Sequence, residues 1–433
     1  MLVVVAFFSE CVELFVNMIL ARELGEEGMG HYMSILPIIF LVFIIASLEL
    51  PISISKFVAE NKRDLHYHLL KHALRLATSV MLIIFIPTFI VLSFPAVLSG
   101  FHPYVKWLML AIIPISAFSS IAKGYFMGVQ QMGKIAVSNF LRKIIQFGML
   151  LGVFHYFHYD RDTSLLIALS ALTASEFIVF VYLVSLFILQ MQTMKRNSNA
   201  MMTRQYAHEK LLAVSLPTTG LRIFNAITNA IQPFLIQSAL ITAGFGSVRA
   251  TEHFGMLTGV AMSIGFFPAF IAHSLMVMLI PNVSDAYANK NYERLRHLLQ
   301  QSMSFTMIYG IPSVLAIYIF AEPLTSTFFH STAAAFYLKL LWPYFLFHFF
   351  VIPMQAYLIG LGLVKDTFIH SVWAHIVSFA MMYILGSQSH LNMAGVIIGM
   401  NMGIVLLTLM HYFTICKKVG INVWLTKPRH NVY

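Results

Sequence analysis

The chain has 433 residues, 59% of them hydrophobic and 10% charged, with a mean hydropathy of +0.80. Soluble domains carry about 25% charged residues, so the composition excludes water as the main solvent and makes length a count of membrane spans. The formal charge of +10 is then a topology signal and implies no nucleic-acid partner, while two cysteines, Cys11 and Cys416, are too few for a disulfide framework or a cysteine metal cluster.

A hydrocarbon core of about 30 Å takes about 20 apolar residues per helix. Such windows predict spans near residues 2–21, 31–55, 73–97, 105–127, 135–157 and 164–190, then a polar link at 191–210. A second set follows near 211–241, 254–280, 299–321, 336–360, 364–386 and 391–415, with a tail at 416–433. The first stretch has no basic start and carries Glu10 and Glu13, which predicts a retained span rather than a signal peptide. The expected fold class is all-α integral membrane, with about twelve transmembrane helices in two pseudo-symmetric six-helix lobes, 1–190 and 211–415, around a central cavity.

With a cytoplasmic N-terminus, 21 of the 27 basic residues fall on inside segments, Lys123 and Arg142 among them. Five fall outside (Arg22, Lys106, Arg161, Arg249 and Lys339), and Arg222 lies within a span. The positive-inside rule therefore predicts a multi-pass protein of the plasma membrane with both termini cytoplasmic.

An internal repeat supports the two lobes. Ser55, Ala59, Asp64 and His68-Leu69-Leu70 match Ser284, Ala288, Glu293 and His297-Leu298-Leu299 at an ungapped offset of 229 residues. Tyr125, Gly128 and their neighbours match Tyr357 and Gly360 at an offset of 232. Six spans per repeat give both halves the same orientation, so that they can form lobes around the cleft that alternating access needs.

Ionisable residues inside spans cost roughly 2.5 to 3.5 kcal/mol each on insertion scales, so each requires a reason. Glu10, Glu13 and Asn17 share one face of the first span, and Arg222, Asn225, Asn229 and Gln232 repeat that spacing along the seventh. These stripes are expected to line a substrate cavity from opposite lobes. Arg222 offers a fork for phosphate or carboxylate, Asn17, Asn225, Asn229 and Gln232 offer hydrogen bonds, and Glu10 and Glu13 are candidate sites for a coupling proton or sodium ion. The plainer alternative is an ion pair that locks the lobes. Glu49 and Glu176 read as isolated acids near the ends of apolar runs, equally suited to ion coupling or to structure. Of the eighteen histidines, His31, His66, His68, His72, His102, His155 and His158 sit at membrane edges or in loops, and His273, His348, His375 and His411 show no ligand spacing, so neither a metal site nor a cofactor is expected. Prolines recur inside the spans and permit bends.

Several segments carry a family resemblance: Leu20 to Gly30, Leu50 to Glu60, Lys123 to Met132, and Leu257 to Gly259 through Phe266-Phe267-Pro268 to Ile280 to Ala288. Together they resemble the stage V sporulation protein B group of polysaccharide-biosynthesis membrane proteins, within the multidrug, oligosaccharidyl-lipid and polysaccharide exporter superfamily. The resemblance implies two six-helix lobes and the flipping of a lipid-linked cell-wall sugar precursor, with a link to spore formation. Against that group's pattern, Glu10 and Asn17 stand where arginines are common, Glu49 where glycine is common, and Gln232 where an acid is common; Arg222 is retained. The extra acids make a cation-coupled or cationic-substrate variant more plausible, and with about twelve spans the chain is expected to be without the two further helices that often shelter a lipid tail in relatives.

No phosphate-binding glycine loop, nucleophile elbow or hydrolase motif is present, so the expected role is transport without catalysis, on a lipid-linked or amphipathic substrate. The alternatives are an ion-coupled antiporter of the multidrug and toxin extrusion type and a non-transporting partner that recruits envelope-assembly enzymes through 191–210.

Overall fold

The computed structural model describes residues 2–61, 63–94, 101–157, 159–196, 203–329, 331 and 333–420, with backbone alone for 2–6, 196, 204, 217, 218, 221, 277 and 328. Among the described residues there is no strand. The first half runs through α1 (Leu2–Ser47), α2 (Leu50–Glu60), α3 (Arg63–Ser93), α4 (Val105–Gly128), α5 (Met132–Tyr156) and α6 (Arg161–Arg196). The second runs through α7 (Arg204–Thr242), α8 (Ser247–Gly255), α9 (Met262–Phe266), α10 (Ala269–Ala288), α11 (Tyr292–Ile319), α12 (Ala321–Phe329), α13 (Ala333–Leu340), α14 (Trp342–Gly360), α15 (Val364–Gly386) and α16 (Asn392–Val419).

Ten described helical stretches are long and apolar enough to cross a membrane. The first, Phe7–Glu60, covers both of the first two predicted spans. The 46 residues of α1 would extend about 69 Å if straight, more than twice the hydrocarbon core. Gly25 divides them, with φ 66° and ψ −177°, a backbone conformation that glycine alone adopts without cost. Leu48 and Glu49, both at φ 45°, then end the helix, and Pro51 opens α2.

Two predicted spans are broken. The stretch predicted at 254–280 holds a π-helical segment, Met256–Ala261, and an interruption at Phe267 and Pro268, so the apolar helix begins only at Ala269. The span predicted at 336–360 is split at Leu341, because Pro343 suits a helix's first turn and not its interior. Helix ends occupy both margins of the predicted link, and its middle, 197–202, lies outside the described residues, as does 421–433 of the predicted tail.

Contacts divide the chain into two compact units, His31–Ile231 and Met1–Gly30 with Gln232–Tyr433. The opening segment of each half thus clusters with helices of the other half. Residues 1–30 join the second unit because Gly30 and Gly255 let the backbones of α1 and α8 touch, and because the Ser331 hydroxyl donates to Glu26 at 3.0 Å.

The internal repeat is physical. In one unit the core contains Leu50, Ile54, Phe57, Leu70, Ala122, Tyr125 and Phe126. In the other it contains Leu279, Val283, Ala286, Leu299, Met354, Tyr357 and Leu358, which are the same positions shifted by 229 residues along α2 and α3 and by 232 along α4. The two crossings are made alike: a Cβ at Gly128 would lie 2.6 Å from the Val58 Cβ, and one at the matching Gly360 would lie 2.8 Å from the Val283 Cβ. Helix ends repeat too. Gln131 N–H donates to Phe126 O at 2.8 Å past Gln130 in a left-handed conformation, and Leu363 N–H donates to Leu358 O at 2.9 Å past Gly362 in the same conformation. The 232-residue shift persists through the last two helices of each half, where Leu150, Leu183 and Phe187 are buried as are Met382, Ile415 and Val419.

Candidate functional site

Arg222 and Glu49 meet in the unit His31–Ile231. The Arg222 Nη1 donates to the Glu49 Oε1 at 2.7 Å, across 173 residues of sequence. The pair is lopsided: the Glu49 side chain is 5% exposed and that of Arg222 58%. A guanidinium has five donors in a planar fork, so the buried carboxylate holds one edge while the remainder stays accessible. Glu49 does this from a left-handed backbone position, which costs a non-glycine residue on the order of 1 kcal/mol. Its side chain is therefore placed there at the expense of local comfort.

Along α7, Asn225 and Asn229 are exposed on the face that carries Arg222, and the Thr228 hydroxyl caps the Asn225 carbonyl at 2.8 Å. Gln232 is half-buried and belongs to the other unit. Glu10, Glu13 and Asn17, also half-buried, share that unit. The Asn17 amide donates to Ser263 Oγ at 3.2 Å, and Glu10 acts electrostatically on His273.

Neither Glu49 nor Glu176, read from the sequence as isolated, stands alone. Glu176 on α6 accepts from Arg142 Nη1 on α5 at 3.2 Å, and again the acid is the more buried partner, at 14% against 28% exposed. The Lys123 ammonium on α4 is in electrostatic reach of both and sits 5.8 Å from the centre of the Phe43 ring. The basic-residue count places Lys123 and Arg142 on inside segments, although the spans predicted at 105–127 and 135–157 contain them; in the structure both lie within helices, α4 and α5.

The other unit carries a buried histidine pair that sequence spacing did not suggest. His370 Nδ1 and His411 Nδ1 lie 3.0 Å apart between α15 and α16, with Thr414 Oγ1 3.2 Å from His370 Nε2. The signal was weak because the partners are 41 residues apart on different helices. Among the described residues no three His, Cys, Asp or Glu side chains gather in a way that would hold a metal ion.

Known proteins share this framework. A family model described as polysaccharide biosynthesis protein matches residues 1–287, and the MatE model matches 257–384. Sporulation protein YkvU of Bacillus subtilis (strain 168) is 52% identical over 426 residues, covering 98% of this chain and 96% of that protein. Stage V sporulation protein B of the same organism is 30% identical over 420 residues, covering 94% and 81%. Lipid II flippase MurJ of B. subtilis is 24% identical over 314 residues, covering 66% and 57%. A solved lipid II flippase MurJ in an inward closed conformation superposes with a TM-score of 0.71 at 14% identity over 95% of this chain and 86% of that one, which shows a common fold.

Proposed function

Because the chain belongs to the polysaccharide biosynthesis protein family, we propose that it flips a lipid-linked saccharide, a precursor of the cell envelope, with Arg222 receiving the anionic head group. The chain is a multi-pass membrane transporter of the flippase and exporter type. The substrate class follows the family description and the lipid II flippase relative, and a role in spore formation follows the two sporulation relatives. The observation that carries the proposal is the accessible guanidinium of Arg222, anchored by a buried acid. A phosphate group takes two parallel hydrogen bonds from such a fork, at roughly twice the strength of neutral ones. Asn225 and Asn229 on the same helix face suit sugar hydroxyls.

Glu49 and Glu176 each hold an arginine, and Glu10 and Glu13, on one face of the first helix, are the carboxylates proposed for a coupling proton or sodium ion. Glu10 is the better placed, through its interaction with His273. Both termini are assigned to the cytoplasm by the basic surplus of the inside segments. No covalent chemistry is required of the protein in this role.

The test is a proteoliposome assay that measures how much of a fluorescent polyprenyl-diphosphate-linked saccharide becomes accessible to an impermeant quencher. Arg222→Ala is expected to slow exchange by about a hundredfold, the loss of a charge-assisted contact at about 3 kcal/mol, while Arg222→Lys retains part of the rate. Full exchange by Arg222→Ala protein correctly inserted in the membrane rejects the assigned role.

A further inference from the structure

Three charged side chains, Lys123, Arg142 and Glu176, converge among α4, α5 and α6 inside the first unit. Arg142 lies about 15 Å along α5 from its start and Glu176 about 22 Å along α6 from its own, at 1.5 Å per residue. They are therefore well inside membrane-length helices, where an unbalanced charge is costly. Two cations share one carboxylate. Glu176 offsets Arg142, which leaves the cluster a formal count of one cation, and the Lys123 nitrogen lies 5.8 Å from the centre of the Phe43 ring.

The fold itself does not call for this charge. At the positions 232 residues on, the second half has Gln355, Ala374 and Thr408 on α14, α15 and α16, and it builds the same core without them being charged. Thr408 satisfies its hydroxyl locally, on the Ile404 carbonyl at 2.7 Å, and Ala374 is buried. A set of ions that one half needs and its structural twin does without is held for something other than packing.

We infer that Lys123 and Arg142, steadied by Glu176, form a second anion site in the first unit that takes a phosphate group. The inference rests on the flippase reading and deepens it: the phosphate of the lipid-linked substrate is passed a contact separate from Arg222. Arg142 keeps donors beyond the one given to Glu176, and the Lys123 ammonium has three. Glu176 fixes the fork and limits the site to a single surplus charge, so an anion is bound without being trapped.

The experiment uses the full chain in nanodiscs and measures the Kd of a short-chain polyprenyl diphosphate, of inorganic pyrophosphate and of phosphatidylglycerol. Lys123→Gln is expected to weaken polyprenyl diphosphate and pyrophosphate by about tenfold, the value of one charged contact, and Glu176→Gln to strengthen both. Lys123→Arg should rescue. The opposite signs separate a ligand site from a structural ion cluster, in which Glu176→Gln would only destabilise and leave Kd unchanged. Equal Kd values in wild type and Lys123→Gln overturn the inference, as does a phosphatidylglycerol preference that Lys123→Gln abolishes, since the occupant is then an ordinary bilayer lipid. The flippase reading fails separately, if wild-type protein binds these anions yet exchanges no lipid-linked saccharide between leaflets.

Discussion

The two halves share a core and differ in what they place inside it. Along α4 to α6 the first half holds Lys123, Arg142 and Glu176, and along α14 to α16 the second holds Gln355, Ala374 and Thr408 at the shifted positions. The second half has its own departure: His370 and His411 pair where the first has Ser138 and Val179. The glycine crossings, the left-handed helix ends and the buried apolar positions are common to both. The difference teaches that packing fixes the scaffold and leaves the polar interior free to diverge, so the charges of the first half are read as function and the glycines as structure.

The severest way to break the comparison is to fill the crossings. Gly128→Leu and Gly360→Leu each drive a side chain into a neighbouring helix, and both should cost about 3 kcal/mol or more. Size-exclusion profiles of the detergent-extracted protein should show loss of the monodisperse peak for both. If only one is lost, the two cores are not equivalent.

A transplant sharpens it. The triple variant Lys123→Gln, Arg142→Ala, Glu176→Thr gives the first half the residues of the second. It should remain folded, with a melting temperature within a few degrees of wild type for a change of about 1 kcal/mol, and lose leaflet exchange by about tenfold or more. A collapse in stability would return the charges to structure.

Tyr357 and Tyr125 give a smaller, asymmetric effect. The Tyr357 hydroxyl donates to the Leu295 carbonyl at 2.9 Å, whereas Tyr125 makes ring contacts with His66, which stands at the position matching Leu295. Tyr357→Phe should cost about 1 kcal/mol and Tyr125→Phe less, as read from thermal melts.

The smallest effect belongs to an exposed pair. The Lys339 ammonium donates to Glu322 Oε1 at 2.7 Å, and that hydrogen bond, with the charge behind it, holds the Glu322 carboxyl below its usual range. A depressed carboxyl contributes stability above its unfolded pKa and loses it as pH falls through the folded value. Melting curves of wild type and Glu322→Gln should therefore differ slightly at neutral pH and converge in acid.

Sequence carried the scaffold well because its signals are local. Apolar windows place helices, and the repeat is visible in small and polar residues such as Gly128 and Gly360, Tyr125 and Tyr357. It carried the site poorly because the site is made of distant partners. Arg222 stood out as a lone intramembrane cation, but its acid is 173 residues away at a helix break. Lys123 and Arg142 enter the basic-residue count as topology marks, and only the packing of α4, α5 and α6 shows that they turn to Glu176. The stretch at 254–280 reads as one span although it is interrupted, because hydropathy does not register Pro268 or a π-helical turn.

Glu49 carries a consequence for how such a site changes over generations. Its backbone prefers glycine, and its carboxylate is what tempers Arg222. Glutamate and glycine codons differ by a single base. One point mutation would therefore relax the helix break and unmask a full positive charge in the same step, and under the proposed role of Arg222 that single step would shift selectivity toward more anionic cargo.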